Sequence, residues 1–231
     1  MNALAEFRPK LIYLARRNPA LSREAFVKRW RQHGALGMSL PRWRNIAQYV
    51  HCDVLHPQAQ AAEVDTEYDG IGLIWHRSPE ARAAHIADTS SRQTMERDEE
   101  ETFAEPIVTS CLLARERVLK QPNRAERSLV KLTCFIRAHA FAENLVRERV
   151  GASRRVVESM SALGLLPRGH VVNAPLPATS GDGWGLRADC VEEWWFDDED
   201  SALRAVPILR SSTYPAATRL VLTNEVLLYA A

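Results

Sequence analysis

Cysteine is scarce in this chain and never clustered. Four occur in 231 residues, Cys52, Cys111, Cys134 and Cys190, and no two form a CxxC pair. That spacing argues against a structural zinc or a dithiol redox site. Cys52, Cys111 and Cys134 lie in strand-like runs and Cys190 opens another. This suits reduced, buried, small apolar side chains in a cytoplasmic protein. Long apolar runs are missing too, since nothing approaches the roughly 18 residues of a membrane-crossing helix. Met1 to Pro9 has no apolar core of the secretory type, so no signal segment is expected. Excess charge is also lacking. With 30 basic and 29 acidic residues, nothing in the net charge calls for nucleic acid or an anionic membrane as partner. Arg42–Arg44 and Arg154–Arg155 read as solvated faces. A nucleophile elbow, a phosphate loop and a dinucleotide fingerprint are all absent. Gly181, Gly183 and Gly185 lack the GxGxxG order and read as a hairpin loop.

What is present is an ordinary globular composition, 46% hydrophobic and 26% charged, enough for a sizeable core. The length suits one large domain or two of about 115 residues. The pattern of the first half predicts a strand at Leu11–Arg16, broken by Asn18-Pro19. A helix follows, with Ser22 as its cap, Glu24 in its first turn, and Gly34 or Gly37 as its stop. Ile46–Val54 alternates, with Ile46, Val50, Cys52 and Val54 on one face and Ala47, Tyr49, His51 and Asp53 on the other, a strand pattern. A loop at Pro57–Glu67 and a strand at Gly70–Arg77 come next. Ser78-Pro79-Glu80 starts a helix that leads into an exposed acidic stretch, and a fourth strand spans Val108–Leu119. The second half repeats the plan. Strands are expected at Leu129–Ile136, His170–Ala174, Arg187–Phe196 and Arg219–Tyr229, with helices at Phe141–Leu163 and from Asp198.

Both halves read β-α-β-β-α-β, the ferredoxin-like plan. Asp69–Trp75 and Asp189–Trp195 align at an offset of 120 positions. The strands carry apolar residues on both faces, as Ile71, Leu73 and Trp75 do opposite Ile74. One helix-backed sheet would leave a face uncovered, so a second sheet must cover it. The expected fold is α+β: two tandem ferredoxin-like repeats closing into an intrachain dimeric α+β barrel. The expected boundaries are 1–119 for the first repeat, 120–127 for a linker and 128–231 for the second repeat.

The run from Leu21 to Gly34, LSREAFVKRWRQHG, resembles the signature helix of the EthD family. Leu40-Pro41, the run Ala47–His51, Tyr68-Asp69-Gly70 and Arg97-Asp98-Glu99 with Phe103 reinforce the resemblance, which covers about residues 10–119. The second half is similar in plan alone. The resemblance implies a place in the dimeric α+β barrel superfamily. That group includes cofactor-free monooxygenases, muconolactone isomerases, haem-associated proteins and polyketide-tailoring dehydratases or decarboxylases. The fold is implied more firmly than the reaction.

Phe26, Trp30 and His33 fall on one face of the first helix. His33 there can serve as a general acid–base near neutral pH, or be a core histidine satisfied by a backbone carbonyl. The corresponding part of the second half has no histidine between His139 and His170. Tyr49 and His51 share a strand face and can contact a ligand or pack at a strand end. His76 can join His33 or be exposed at its strand end, and exposure is the favoured reading. Asp98 can orient a histidine or pair on the surface, and surface pairing is favoured. Trp30, Trp75, Trp194 and Trp195 can line a pocket or fill the core. The histidines with Asp53 or Asp69 show no HxH or HxxxH spacing, so no metal is expected. The expectation is a pocket beneath the first helix for a small, mostly apolar organic molecule. His33 is the catalytic group there, Phe26, Trp30, Tyr49, His51, Trp75 and His76 contact substrate, and Asp98 stands behind. No cofactor is implied, and the pseudo-dimeric chain could pair again as a homodimer. The alternative is an accessory protein that holds a hydrophobic ligand, or haem through a histidine, without turnover. A third possibility is a structural duplicate with no pocket.

Overall fold

The structure, a computed structural model, describes residues 8–56, 64–123, 129–137, 142–177, 185–212 and 218–231. The first half contains β1 (Pro9–Ala15), α1 (Arg23–Ser39), β2 (Ile46–Val54), β3 (Gly70–His76), α2 (Pro79–Ala87), α3 (Thr89–Thr102) and β4 (Cys111–Lys120). The second contains β5 (Val130–Ile136), α4 (Ala142–Ala162), β6 (Gly169–Pro175), β7 (Cys190–Phe196), α5 (Glu199–Ser212) and β8 (Thr218–Ala230). The strands close into one antiparallel barrel in the order β1-β3-β2-β8-β5-β7-β6-β4. Each half supplies four neighbouring strands, and the halves join through β2·β8 and β4·β6. The helices lie outside. Among the described residues no helix is long and apolar enough to cross a membrane.

The fold is the α+β barrel expected from strands apolar on both faces. Ile12, Leu14, Val50, Cys52, Ile71 and Leu73 meet Phe135, Val191 and Val221 inside the barrel. The opposite faces lie under the helices. In the first half these hold Tyr13, Phe26, Trp30 and Phe103. In the second they hold Leu132, Cys134, Leu145, Met160 and Trp194. All four cysteines are free and buried.

Several boundaries differ from expectation, each for a local reason. Helix α1 does not stop at Gly34 or Gly37 but runs through both to Ser39. A Cβ on Gly34 would come within 3.1 Å of the Tyr49 ring, so that glycine lets the helix lie close to the sheet. The stop comes from Leu40, extended before Pro41, since a residue preceding proline avoids helical geometry. The acidic stretch is a helix of its own. Asp88 ends α2 and caps α3, accepting the Ser91 N–H at 3.0 Å. The chain at 107–110 is a single 3-10 turn, so β4 starts at Cys111 rather than Val108. Strand β7 starts at Cys190 rather than Arg187. A bulge between Ile46 and Gln48 shifts the alternation of β2, and Ala47 joins Val50 inside the barrel. Residues 124–127 of the expected linker, the loop at Pro57–Glu67 up to residue 63, and Phe141, His139, Gly181 and Gly183 lie outside the described residues.

The barrel interior is not wholly apolar. A chain of charges crosses it, Glu116–Lys10–Glu193–Lys131–Glu225. Lys10 Nζ reaches Glu116 Oε2 at 2.9 Å and also pairs with Glu193. Lys131 Nζ lies 3.0 Å from Glu193 Oε1 and 2.9 Å from Glu225 Oε2. Lys10, Glu193 and Lys131 have fully buried side chains. Burial alone would raise the Glu193 carboxyl, but Lys10 and Lys131 outweigh it and hold that group well below the usual carboxylate range. Asn173 Nδ2 adds a hydrogen bond at 3.0 Å. Removing Glu193 would leave two buried ammonium groups without their shared partner. Breaking such a buried arrangement from one side costs about 3–5 kcal/mol. Glu193→Ala is therefore expected to lower unfolding stability by about that amount in denaturant titrations. Because the folded pKa is depressed, the wild-type chain should lose this contribution as pH falls through the acid range, and the variant should show a shallower acid limb.

Candidate functional site

The first-half site begins with two strand glycines. On β3, a Cβ at Gly70 would stand 2.3 Å from the Trp30 ring, and one at Gly72 would stand 1.9 Å from Tyr13 Cζ. Both side chains thus lie directly against backbone. Trp30 stacks on His51, with centroids 3.7 Å apart, and on Phe26 at 5.4 Å. These contacts fix the face of α1 that looks at the sheet.

A directed chain of hydrogen bonds follows. Arg31 Nη1 lies 2.6 Å from His51 Nδ1. Arginine only donates, so Nδ1 accepts. Burial, with Arg31 beside it, holds His51 well below the ordinary histidine range, so the ring is neutral and its proton is on Nε2. Nε2 then donates to the Tyr49 hydroxyl at 2.5 Å. The Tyr49 O–H in turn donates to the Tyr13 hydroxyl at 3.1 Å. Tyr13 also accepts from Trp30 Nε1 at 3.2 Å. With two donors on its oxygen, Tyr13 keeps its own O–H to offer to a ligand. Burial raises both phenols, so both stay protonated.

His33 is 3% exposed. Its Nδ1 lies 2.6 Å from Asp98 Oδ2, and Arg29 grips the same carboxylate from Nη2 at 2.6 Å and from Nη1 at 3.2 Å. Burial pushes Asp98 up, but Arg29 and His33 outweigh it and keep the carboxyl below its usual range. An ionised Asp98 only accepts, so Nδ1 carries the proton and Nε2 is the basic nitrogen. Burial lowers the His33 pKa, and Asp98 opposes this only in part. His33 is thus a neutral base at pH 7, its tautomer set by Asp98.

A cavity of about 120 Å³ lies between α1 and the sheet. His33, Tyr13, Tyr49, Trp43, His85 and Glu99 are among its walls. It adjoins a groove of about 720 Å³ along α3, whose walls include Ile86, Phe103, Pro106 and Val108. Leu11, Arg42, Met95, Glu99 and Ile107 border both spaces. Glu99 Oε2 accepts the Ile107 N–H at 3.3 Å. Burial raises its carboxyl to about 7.

The expected site residues divide. His33 and Tyr49 line the cavity, and Asp98 holds His33 rather than pairing on the surface alone. Trp30, Phe26 and His51 stand behind the wall, and both His51 ring nitrogens are engaged. Trp75 does not face the cavity. It points into the barrel, where Nε1 donates to Glu116 Oε2 at 3.2 Å and Lys10 lies over its ring, because residues of opposite parity face opposite sides of the sheet. His76 is buried at 4% exposure, not exposed, and packs edge-on against His85 at 5.2 Å. Helix α2 covers the end of β3, which explains the difference. Nothing in the spacing anticipates Tyr13, Arg31 or Glu99. The one available signal is Tyr13 between Ile12 and Leu14, a polar-tipped ring on the helix side of β1. Among the described residues no group of three or more His, Cys, Asp or Glu is placed to hold a metal.

Strand register sets the second half against the first. Tyr13 faces Gly72 and Tyr49 faces Ile74, while Cys134 faces Glu192 and His170 faces Trp194. Where Gly72 gives Tyr13 room, Glu192 takes a buried ion pair with Arg149 of α4, at 2.5 and 3.1 Å. Trp194 stacks on His170 at 3.4 Å. The second half therefore does bring a histidine beneath its helices, but Arg149, Glu192 and Trp194 crowd the space beside it.

Residues 18–107 match the model of the EthD domain. The match includes every wall of the inner cavity except Leu11 and Tyr13. Among curated proteins none matches the sequence. The fold is similar to that of a candidate monooxygenase from Fusobacterium nucleatum, at 8% identity over 97% of this chain and 95% of that one, TM-score 0.59. An anthrone oxidase-like protein is similar at 13% identity over 98% and 94%, TM-score 0.53. Chlorite dismutase from Candidatus Nitrospira defluvii, in complex with imidazole, is similar at 9% over 94% and 90%, TM-score 0.51. At such identities the likeness concerns the fold.

The role of Gly72 in the first half is open to test against Gly151 of α4, where a Cβ would meet nothing within 4 Å. Gly72→Ala should destabilise by about 1–3 kcal/mol, because the buried Tyr13 ring must move. Gly151→Ala, at an exposed helix position, should stabilise by about 0.5–1 kcal/mol. Thermal unfolding of both variants gives the comparison.

Proposed function

We propose that this chain is an enzyme that removes a proton next to a carbonyl in a small, mostly apolar organic molecule. The reaction takes place in the first-half cavity. The observation that carries this reading is His33, buried at the cavity wall with Nδ1 2.6 Å from Asp98. Such a pair leaves a neutral Nε2 directed by a carboxylate, the arrangement a general base needs. Tyr13 supplies what the developing enolate needs, an O–H held at the end of the Arg31–His51–Tyr49 chain. A donor already oriented toward the site of developing charge stabilises the transition state without reorganisation. The groove beside the cavity is large enough for a ring system, within the about 300–1,000 Å³ usual for ligand pockets.

The reading is tested with α-tetralone in deuterated water, where exchange of the protons beside the carbonyl is followed by NMR. The wild-type chain should accelerate exchange. His33→Ala should lose about 10²–10⁴-fold of that acceleration while still binding the ketone. Asp98→Asn should lose about 10–100-fold, since the amide no longer fixes the tautomer. Loss of ketone binding in His33→Ala with no catalysed exchange in the wild type would instead mark a ligand-holding protein.

A further inference from the structure

The proton-transfer reading leaves Glu99 without a task, although it stands where the inner cavity meets the outer groove. Consecutive residues on a helix point about 100° apart. Asp98 turns toward His33 Nδ1, while Glu99 turns to the neck and borders both spaces. Its fixed contact is the Ile107 N–H at 3.3 Å. Elements on every side face it: Arg42, His85 of α2, His33 of α1, Tyr13 and Tyr49 of the sheet, and Glu96 and Asp98 on its own helix.

We propose that Glu99 is the second catalytic group of this site, a carboxylic acid that protonates a departing hydroxyl after His33 has taken the proton beside the carbonyl. This rests on the assignment of His33 as base. The reaction is loss of water from a β-hydroxy carbonyl compound. His33 Nε2 takes the proton, the C–H electron pair forms the carbon–carbon double bond, and the carbonyl oxygen is held by the Tyr13 O–H. The carbon–oxygen bond at the β position breaks, and the Glu99 proton joins the leaving oxygen as water. Water departs through the groove. Proton exchange with solvent there restores neutral His33 and protonated Glu99. The step balances without oxidant or reductant.

The protonation states agree. With its carboxyl raised to about 7 by burial, Glu99 carries a proton over the range where His33 is already neutral. Two groups whose surroundings push them in opposite directions are what an acid–base pair requires. Glu96, Glu99, Glu100 and Glu105 outnumber Arg42 and Arg92 along the groove, so a neutral hydroxyketone suits it better than a carboxylate or phosphate ester.

The probe is the β-hydroxy derivative of α-tetralone, which loses water to give α-naphthol and is followed by absorbance. In the wild-type chain kcat/KM should fall above about pH 7, as Glu99 loses its proton. Glu99→Gln should lower kcat by about 10²–10⁴-fold and abolish that alkaline fall, with little change in KM. Glu99→Asp should restore part of the rate. Deuterium exchange of α-tetralone should survive in Glu99→Gln, because exchange needs only the base, and that survival also shows that the variant is folded. Dehydration by Glu99→Gln at the wild-type rate, or an alkaline fall that persists in it, overturns the role of Glu99. A wild-type chain that exchanges α-tetralone protons but does not form α-naphthol overturns the elimination. A wild-type chain that does neither overturns the assignment of His33 as well.

Discussion

The buried charge chain across the barrel is the constraint on which the two halves depend. Lys10 and Lys131 occupy corresponding places. Lys10 faces Trp75 across β1–β3, and Lys131 faces Trp195 across β5–β7. Lys10 faces Ala114 and Lys131 faces Thr223, so Glu116 and Glu225 each lie two residues further along. Each half thus carries the same Lys–Trp–Glu group, and each tryptophan Nε1 donates to its glutamate. Glu193 breaks the correspondence, standing where the first half has Leu73. It binds Lys10 of one half and Lys131 of the other. Buried ion pairs contribute little net stability against an apolar alternative, but separating them is costly. A one-residue slip in β1, β5 or β7 would strand a lysine or glutamate without its partner. The chain of charges therefore selects one register among those that apolar strands alone would tolerate.

That network also explains what was and was not legible in the sequence. Strand positions and the need for a second covering sheet follow from local alternation, and the barrel order obeys them. Lys10, Lys131 and Glu193 give no such signal. A lysine in a strand reads as a solvent-facing residue, and only closure of the barrel turns it inward. The same limit holds at the site. The helix face of Phe26, Trp30 and His33 is visible at helical spacing. Asp98 approaches His33 only because α3 folds back across α1, and Arg31 reaches His51 across an element boundary. The break at Asp88 sets the direction of α3. It depends on a capping hydrogen bond to Ser91 that acts only once the chain has turned. His76 shows the converse: a strand end reads as exposed until α2 covers it.

One difference on β3 and β7 accounts for much of the asymmetry between the halves. In the first half, Gly70 and Gly72 leave the outer face of β3 bare at those two positions, and Trp30 and Tyr13 lie against it there. The space above them is the cavity. In the second half the place of Gly72 is held by Glu192, whose carboxylate must be answered once buried. Arg149 does so from α4, and Trp194 Nε1 donates at 3.1 Å. Satisfying that charge uses the volume that a ligand would need. His170 has a hydrogen bond to Ser153 at Nδ1, and burial, with Arg149 nearby, lowers its pKa to about 3. A histidine so far below neutrality is a poor base for exchange with solvent. Both halves therefore share a frame and a covering helix, but they resolve the space between them in opposite ways.

The same reasoning links the interior of the barrel to the surface chemistry. Strand residues of alternate parity face opposite sides, so on β1 and β3 the residues that fix the barrel register also place the cavity wall. Lys10 faces inward between Pro9 and Leu11, and Leu11 borders the cavity. Trp75 holds Glu116 inside, while Ile74 beside it forms part of the cavity wall. Tyr13 lies between Ile12 and Leu14, both packed in the barrel core. A slip that disturbed Lys10 or Trp75 would carry Tyr13 away from Gly72 and out of the wall it shares with His33. Placing a base and a hydrogen-bond donor across a cavity of about 120 Å³ needs positional accuracy that a flexible loop does not supply. The barrel supplies it by making the register of its strands too costly to change.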